Sequence, residues 1–365
     1  MRTIIVAGGA GFIGSNFVRT VLKQTSLRIV VYDLLTYAGS MLNLRDLNGA
    51  ERFEFIRGDI TQSDQLELLF KHWQPEAIVN FAAESHVDRS IDGPRNFLQT
   101  NVVGTFEMLE MARRYYNGLT TDQRRSFRFL HVSTDEVYGS LGAIGKFEES
   151  TPYAPNSPYA ASKAAADHFV RAYHQTYALP ALITNCSNNY GPFQFPEKLI
   201  PLTILNAING RPLPIYGDGS NIRDWLFVDE HCEGILAVLQ RGQPGSKYNL
   251  GGNSELTNLE VAGEVCRALD RLLPVYSNPV VAVRGLNSYA DLITFVADRP
   301  GHDHRYAIDC SLIKRDLGWS PKVSFADGIQ LTVAWYLKNL EWCQGVQQGR
   351  YAGERLGLAT GEALQ

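Results

Sequence analysis

A short apolar run, Thr3-Ile4-Ile5-Val6-Ala7, ends in Gly8-Gly9-Ala10-Gly11-Phe12-Ile13-Gly14, and a helix-length stretch follows at once. Glycines packed this densely between a strand and a helix restrict the fold more than any other feature of the chain. They allow a tight turn and let the backbone come close to a bound group. The helix that follows points its free N–H groups and the positive end of its dipole at that group. Two spacings fit: GxGxxG through Gly9, Gly11 and Gly14, and GxxGxxG through Gly8, Gly11 and Gly14. Either suits a pyrophosphate, and a glycine-rich turn with no ligand is the plainer reading.

The following residues repeat the pattern. Apolar runs rich in Val, Ile, Leu and Phe end at Ala7, Asp33, Arg57, Phe81, His131 and about Asn185. Helix-length stretches lie between them at about Phe12–Gln24, Ser63–Trp73, Pro94–Tyr116 and Pro158–Tyr177. Continuous apolar strands alternating with helices imply a parallel sheet covered on both faces. The expected class is therefore α/β, a Rossmann-like, doubly wound sheet. After Asn185 the pattern changes to prolines, glycines and aromatics, with a helix near Lys198–Asn209. A strand near Trp225–Val228, a helix near Glu230–Gln240 and a strand near Tyr248–Leu250 then resume the alternation, and helices are expected at 258–273 and 325–340. We expect residues 1–185 and about 225–250 to form a dinucleotide-binding domain. Residues 186–224 and about 251–340 would make a smaller, discontinuous substrate domain, and 344–365 a mobile tail.

Composition narrows the partners. Hydrophobic residues make up 45% and charged residues 20%, ordinary globular usage that leaves disorder and fibres as poor readings. A net charge of −4 offers no general pull toward nucleic acid or anionic membrane. The five cysteines, Cys186, Cys232, Cys266, Cys310 and Cys343, are scattered and never spaced CxxC, which suits a reducing cytoplasm better than a disulfide framework. The first apolar run is too short for a signal-peptide core, and no run of about 18 apolar residues suggests a membrane span.

Asp33 closes the second strand about 20 residues beyond the glycines, where a carboxylate binds the adenosine ribose hydroxyls and repels the extra phosphate of NADP. NAD is the expected cofactor. Asp59-Ile60 and Ala82-Ala83 end the next two strands, and ligands sit at the carboxyl ends of parallel strands. Asp59 is equally a plain turn carboxylate. Tyr159 and Lys163 stand one helical turn apart, a spacing that lets a cation lower a phenol from its ordinary pKa of about 10. Such a tyrosine takes a proton from a sugar hydroxyl as hydride leaves the same carbon. Ser133, at a strand end, completes the usual trio, or Thr134 takes that role. Asp135-Glu136 follow directly. A lone Asp-Glu is usually a polar turn. Two carboxylates in one closed site instead provide an acid beside a base, as removal of water requires.

Glycine turn, strand-end hydroxyl and YxxxK together resemble the extended short-chain dehydrogenase/reductases that act on nucleotide sugars, from residue 1 to about 340. Within them the blocks Ser133–Gly139, Ala82–Ser90, Asn185–Pro192, Phe195–Pro201, Ile222–Trp225 and Asp298–Asp303 are similar to the dTDP-glucose 4,6-dehydratase family. Beyond about residue 345 the resemblance offers no counterpart. It implies NAD-dependent oxidation at sugar carbon 4, loss of water across carbons 5 and 6, and reduction at carbon 6. The implied catalytic residues are Thr134, Asp135, Glu136, Tyr159 and Lys163. The implied cofactor contacts are Gly8, Gly11, Phe12, Ile13, Gly14, Asp33, Asp59, Ile60, Ala82, Ala83, Ser85, Thr100 and Asn189, with Tyr159 and Lys163. Substrate contacts follow at Ser85, Thr134, Asn188, Lys198, Leu199, Pro214, Ile215, Tyr216, Arg223, Asn258, Arg299 and His302. Family members pair through the helices at Pro94–Tyr116 and Pro158–Tyr177, so a homodimer is expected.

Rival readings remain at this stage. Arg223-Asp224 is either a phosphate site or an internal ion pair. His302-Asp303-His304 is a weak metal pattern, since no further ligands cluster with it, and no metal is expected. A 4-epimerase, a uronic-acid decarboxylase or a dehydratase of GDP-mannose or CDP-glucose would share fold and cofactor. A non-catalytic NAD-binding regulator would not need Tyr159, Lys163, Asp135 and Glu136 together.

Overall fold

In the computed structural model, residues 2–298 and 302–348 are described. The first half runs β1 (Thr3–Ala7), α1 (Phe12–Gln24), β2 (Arg28–Asp33), β3 (Phe53–Arg57), α2 (Ser63–Trp73), β4 (Ala77–Asn80), and the short α3 (Val87–Asp92) and α4 (Pro94–Phe97). Next come α5 (Thr105–Gly118), the short α6 (Thr121–Ser126), β5 (Arg128–Thr134), α7 (Pro158–Tyr177) and β6 (Ala181–Cys186). The second half runs β7 (Asn188–Tyr190), α8 (Leu199–Ile208), β8 (Leu213–Tyr216), β9 (Ile222–Phe227), α9 (Val228–Arg241), β10 (Lys247–Leu250) and β11 (Glu255–Thr257). It ends with α10 (Asn258–Leu272), the short α11 (Pro279–Ala282), β12 (Ile293–Val296), α12 (Ser311–Leu317), α13 (Phe325–Lys338) and α14 (Leu340–Gln347).

Seven strands form one sheet in the order β10-β6-β5-β4-β1-β2-β3, and all its neighbours pair in parallel. The winding reverses between β1 and β4, so a crevice opens at their carboxyl ends, where ligands bind in such sheets. One face is covered by a core that draws on α1, α9 and α12, the other by a core from α2, α5 and α7. This is the α/β class that the apolar alternation implies. A second core joins α8, α10 and α13 around Tyr190, Trp225 and Phe227. There β7, β9 and β11 make a small sheet, and β8 pairs with β12. The chain returns to the large sheet through α9 and β10.

Two elements differ from expectation. The helix expected over Pro94–Tyr116 is present and unbroken but not uniform: Leu98–Gly104 widens into a π-helical stretch between α4 and α5. That wider turn turns Asn101 inward. Its amide is donated to Glu84 O at 2.9 Å and to Ser162 Oγ at 2.8 Å, tying the loop after β4 to α7. The expected tail from Gln344 begins inside α14, where Val346 is buried and packs with Phe195. Apolar positions at Trp342, Cys343 and Val346 hold that turn in place. Residues 349–365 lie outside the described residues. Among the described residues, no helix is long and apolar enough to cross a membrane.

Candidate active site

The turn after β1 explains each glycine separately. Gly8 has φ +76°, and a Cβ there would lie 2.5 Å from the Ala82 backbone nitrogen. At Gly14 a Cβ would sit 2.3 Å from Gly8 O, so helix and turn could not close together. A Cβ on Gly9 would strike Val31, so that glycine serves packing against β2. Gly11 is different: a Cβ there would meet only Gly8 O, at 3.3 Å, and its other side opens to a cavity. Gly8, Gly11 and Gly14 line that cavity with Phe12 and Ile13, which selects the GxxGxxG spacing.

The cavity, about 310 Å³, runs along the carboxyl ends of the strands past Asp33, Asp59, Ile60, Ala82, Ala83, Ser85 and Thr100 to Thr134, Tyr159, Lys163 and Asn189. Asp33 is held by backbone N–H groups of Ala10 at 2.9 Å and Leu35 at 2.8 Å, while burial pushes its carboxyl upward. Asp59 caps its own turn by accepting from the Thr61 N–H at 2.9 Å and still lines the cavity. It is thus a turn carboxylate that also faces the cavity. The shape suits an extended dinucleotide: a glycine floor without side chains, a carboxylate at one end and a phenol at the other.

β5 extends to Thr134, three residues beyond the expected end, and so delivers its last side chains directly into the site. Ser133 does not complete the trio. Its hydroxyl donates to Asp167 Oδ2 at 2.8 Å. Thr134 stands at that place instead: its hydroxyl is hydrogen-bonded to the Tyr159 phenol and lies 3.4 Å from Asp135 Oδ1. Ser157 caps α7, and Pro158 opens it, which fixes where Tyr159 and Lys163 fall.

The expected lowering of Tyr159 by Lys163 is not what this arrangement gives. Burial, then the Glu136 carboxylate, raises the phenol well above its ordinary value. The Lys163 ammonium donates to Val132 O at 2.8 Å and lies 3.2 Å from His131 Nε2. Burial brings Lys163 down to about 8, with Asp167 opposing. Helical spacing places the two residues on one face but says nothing of how deeply both are buried.

Asp135 and Glu136 differ in burial. Asp135 is buried, and its Oδ2 has no hydrogen-bond partner. Burial, with Glu136 and Asp224 nearby, raises its carboxyl well above the usual range, which favours the protonated form. Glu136 is only partly buried and lines both this cavity and a second one of about 420 Å³. Asn188, Glu197 and Lys198 also border both, so the two cavities meet at Glu136 and these three residues, while Asp135 and Tyr159 line the first alone.

The second cavity collects Asn188, Lys198, Leu199, Pro214, Ile215, Tyr216, Arg223, Asn258 and His302, within the size range of small-molecule sites. Ser85 and Thr134 border the first cavity instead. Arg299 lies outside the described residues. Arg223 and its neighbour Asp224 face different partners. The guanidinium donates to carbonyls of Ile222 and Asp303 and lies 4.4 Å over the Tyr306 ring, while Asp224 accepts from the backbone of Gly252 and Ser254. Sequence reading passed over Tyr37, Glu84, Arg89, Glu197 and Tyr306. Arg89 binds Glu197 at 2.8 Å and lies 4.2 Å over the Tyr37 ring, joining three distant segments. Glu197 stood inside a block already marked by resemblance, the one signal that could have found it.

Residues 5–332 match the family described as GDP-mannose 4,6 dehydratase. The dTDP-glucose 4,6-dehydratase of Xanthomonas campestris pv. campestris (strain B100) is 55% identical over 360 residues, covering 99% of this chain and 100% of that protein. The chain belongs to the dTDP-glucose 4,6-dehydratase family. The Streptomyces venezuelae member, solved with NAD bound, aligns at 46% identity with a TM-score of 0.83, covering 94% of this chain and 99% of that one. The Bacillus anthracis dTDP-glucose 4,6-dehydratase, also in complex with NAD, gives 44% identity and a TM-score of 0.81 over 95% and 100%. The Xanthomonas match spans nearly the whole chain, so the family does offer a counterpart beyond residue 345, contrary to expectation.

Proposed function

We propose that this chain is a dTDP-glucose 4,6-dehydratase that uses NAD. The observation that carries the reading is that Tyr159 and Asp135 line the first cavity together with Glu136, which also borders the second: a phenol and two carboxyl groups in one site, the Asp135 carboxyl raised by burial. An epimerase needs the phenol but no acid for a leaving hydroxyl.

Gly8, Gly11, Phe12, Ile13 and Gly14 hold the pyrophosphate of NAD, and Asp33 its adenosine ribose. Bound there, NAD supplies a reversible hydride acceptor. The nucleoside diphosphate of the substrate occupies the second cavity, with Arg223, Lys198 and His302 toward phosphate and Pro214, Ile215 and Tyr216 toward the nucleoside. The sugar lies at the junction. Tyr159 takes the proton of the carbon-4 hydroxyl, assisted by Thr134. The ketone then acidifies carbon 5, whose proton Glu136 removes. Asp135 protonates the hydroxyl leaving carbon 6. Lys163, fixed by Val132 and His131, keeps a cation near Tyr159. The product is a 4-keto-6-deoxy sugar nucleotide.

We place the chain in the cytoplasm, since all five cysteines are buried and unpaired, as in a reducing compartment. We also infer a homodimer. Leu98, Phe106, Phe169 and Tyr177 are exposed large apolar side chains of the α4–α5 segment and α7, and Phe106 meets Phe169 edge-on at 6.1 Å. Mass spectrometry of the protein incubated separately with dTDP-glucose and GDP-mannose tests the assignment. A dTDP product lighter by one water supports it. A product of unchanged mass, told from substrate by proton NMR, points to an epimerase, and bound NAD with no turnover of these or of UDP- and CDP-sugars points to a regulator.

A further inference from the structure

One turnover, on the dehydratase reading above on which this inference rests, shifts a proton between two side chains. The substrate enters as an alcohol at carbon 4 and leaves as a ketone. Its hydroxyl proton ends on the Tyr159 phenolate, giving phenol. The hydrogen of carbon 4 is moved to carbon 6 within the same molecule, so it cancels. The proton of carbon 5 goes to Glu136 and comes back, so it cancels too. The bond from carbon 6 to oxygen breaks with its electron pair on oxygen, which takes a proton from Asp135 and departs as water. Each cycle therefore ends with Tyr159 one proton up and Asp135 one proton down. The next cycle needs that proton moved from phenol to carboxylate.

Thr134 stands between the two. It is the last residue of β5, and its side chain, with Asp135 and Tyr159, is buried. A hydroxyl has one hydrogen to give and two lone pairs. Here the hydrogen goes to Asp135 Oδ1, at 3.4 Å. One lone pair takes the Glu136 N–H, at 3.3 Å. The hydrogen bond with Tyr159 fills the other when the phenol is protonated, which is its state at the end of a cycle. Ser133, the neighbouring hydroxyl, donates to Asp167 instead, and the Cys186 thiol points at Ser133 O.

We propose that the Thr134 hydroxyl resets the site: it gives its own hydrogen to Asp135 Oδ1 while taking the phenol hydrogen from Tyr159. One O–H bond breaks and one forms on threonine, so its side chain is unchanged. Asp135 regains the proton that elimination removes, and Tyr159 regains its base form. Burial raises the Asp135 carboxyl, which favours delivery to it, and raises the Tyr159 phenol, which opposes release, so the transfer rests on the hydrogen-bonded path through Thr134.

Rapid-quench kinetics with dTDP-glucose in excess over enzyme test this in Thr134→Val, which keeps the volume, and Thr134→Ser, which keeps the hydroxyl. The valine variant should slow the first turnover, in which Thr134 assists Tyr159, and slow every later turnover by about a further 100-fold or more, the scale of a lost proton-transfer step. The slow phase alone should slow further in heavy water. Serine should restore continuous turnover. Thr134→Ala serves the same comparison if valine disturbs folding, and bound NAD checks each variant. Equal slowing of the first and later turnovers, or a serine variant that behaves like valine, would overturn the proposal. Failure of the unmodified protein to turn over dTDP-glucose would instead remove the dehydratase reading.

Discussion

Asp135 is a carboxyl pushed toward its protonated form: buried, beside two other carboxylates, with one oxygen unpartnered among the described residues. Its raised value has a cost with a definite sign. The unfolded carboxyl ionises near pH 4. Above that pH the unfolded chain gives up a proton that the folded chain keeps, so stability falls as pH rises through the raised folded value. At a pH above both values, every tenfold gain in proton affinity on folding costs about 1.4 kcal/mol. Asp135→Asn should therefore melt higher than the unmodified protein, by a margin that grows above about pH 4, while elimination falls about 100-fold or more. Thermal melts across pH and product formation check the two halves. Tyr159→Phe should lose oxidation by a similar factor and keep NAD, read from kcat and from cofactor released on denaturation. The glycines, Asp33, Asp135-Glu136 and Tyr159-Lys163 were legible because each acts through close sequence spacing. His131, Asp167 and Glu197 were not, because their partners come from distant segments. The direction in which Tyr159 moves was hidden for a related reason: burial is a tertiary quantity.

At the element level, α1, α2 and α7 fall on the residues expected from apolar periodicity and flanking turn signals. The π-helical stretch at Leu98–Gly104 was illegible, since its cause is the inward demand of Asn101 and the close approach of Gly104 to Ile60. The junction of β1 and α1 is the most tightly specified element. Gly14→Ala would drive a Cβ into the backbone of Gly8 and Gly9. Neither backbone can step aside without opening the turn. We expect a loss of about 1–3 kcal/mol, the scale of overpacking, together with loss of copurifying NAD. Melting temperature and the absorbance of bound cofactor check this.

Across the whole molecule, the large sheet and the smaller unit share one junction, where we propose that cofactor and sugar nucleotide meet. The smaller unit was only partly legible, because its two small sheets are assembled from separated segments, β7 with β9 and β8 with β12. Pairing of two copies through α5 and α7 would cover Phe106 and Phe169. Phe169→Asp should give monomers in light scattering while leaving the wild-type protein as a dimer, since a buried unpaired charge is costly.

The central claim is an oxidation and a reduction within one sugar, separated by loss of water. It is tested most directly with dTDP-glucose deuterated at carbon 4, incubated with the purified protein and no reductant. The account expects a new carbon-6 methyl group carrying one deuterium, seen by proton NMR. Deuterium lost to solvent, or kept at carbon 4 of a sugar that still bears its carbon-6 hydroxyl, would contradict it.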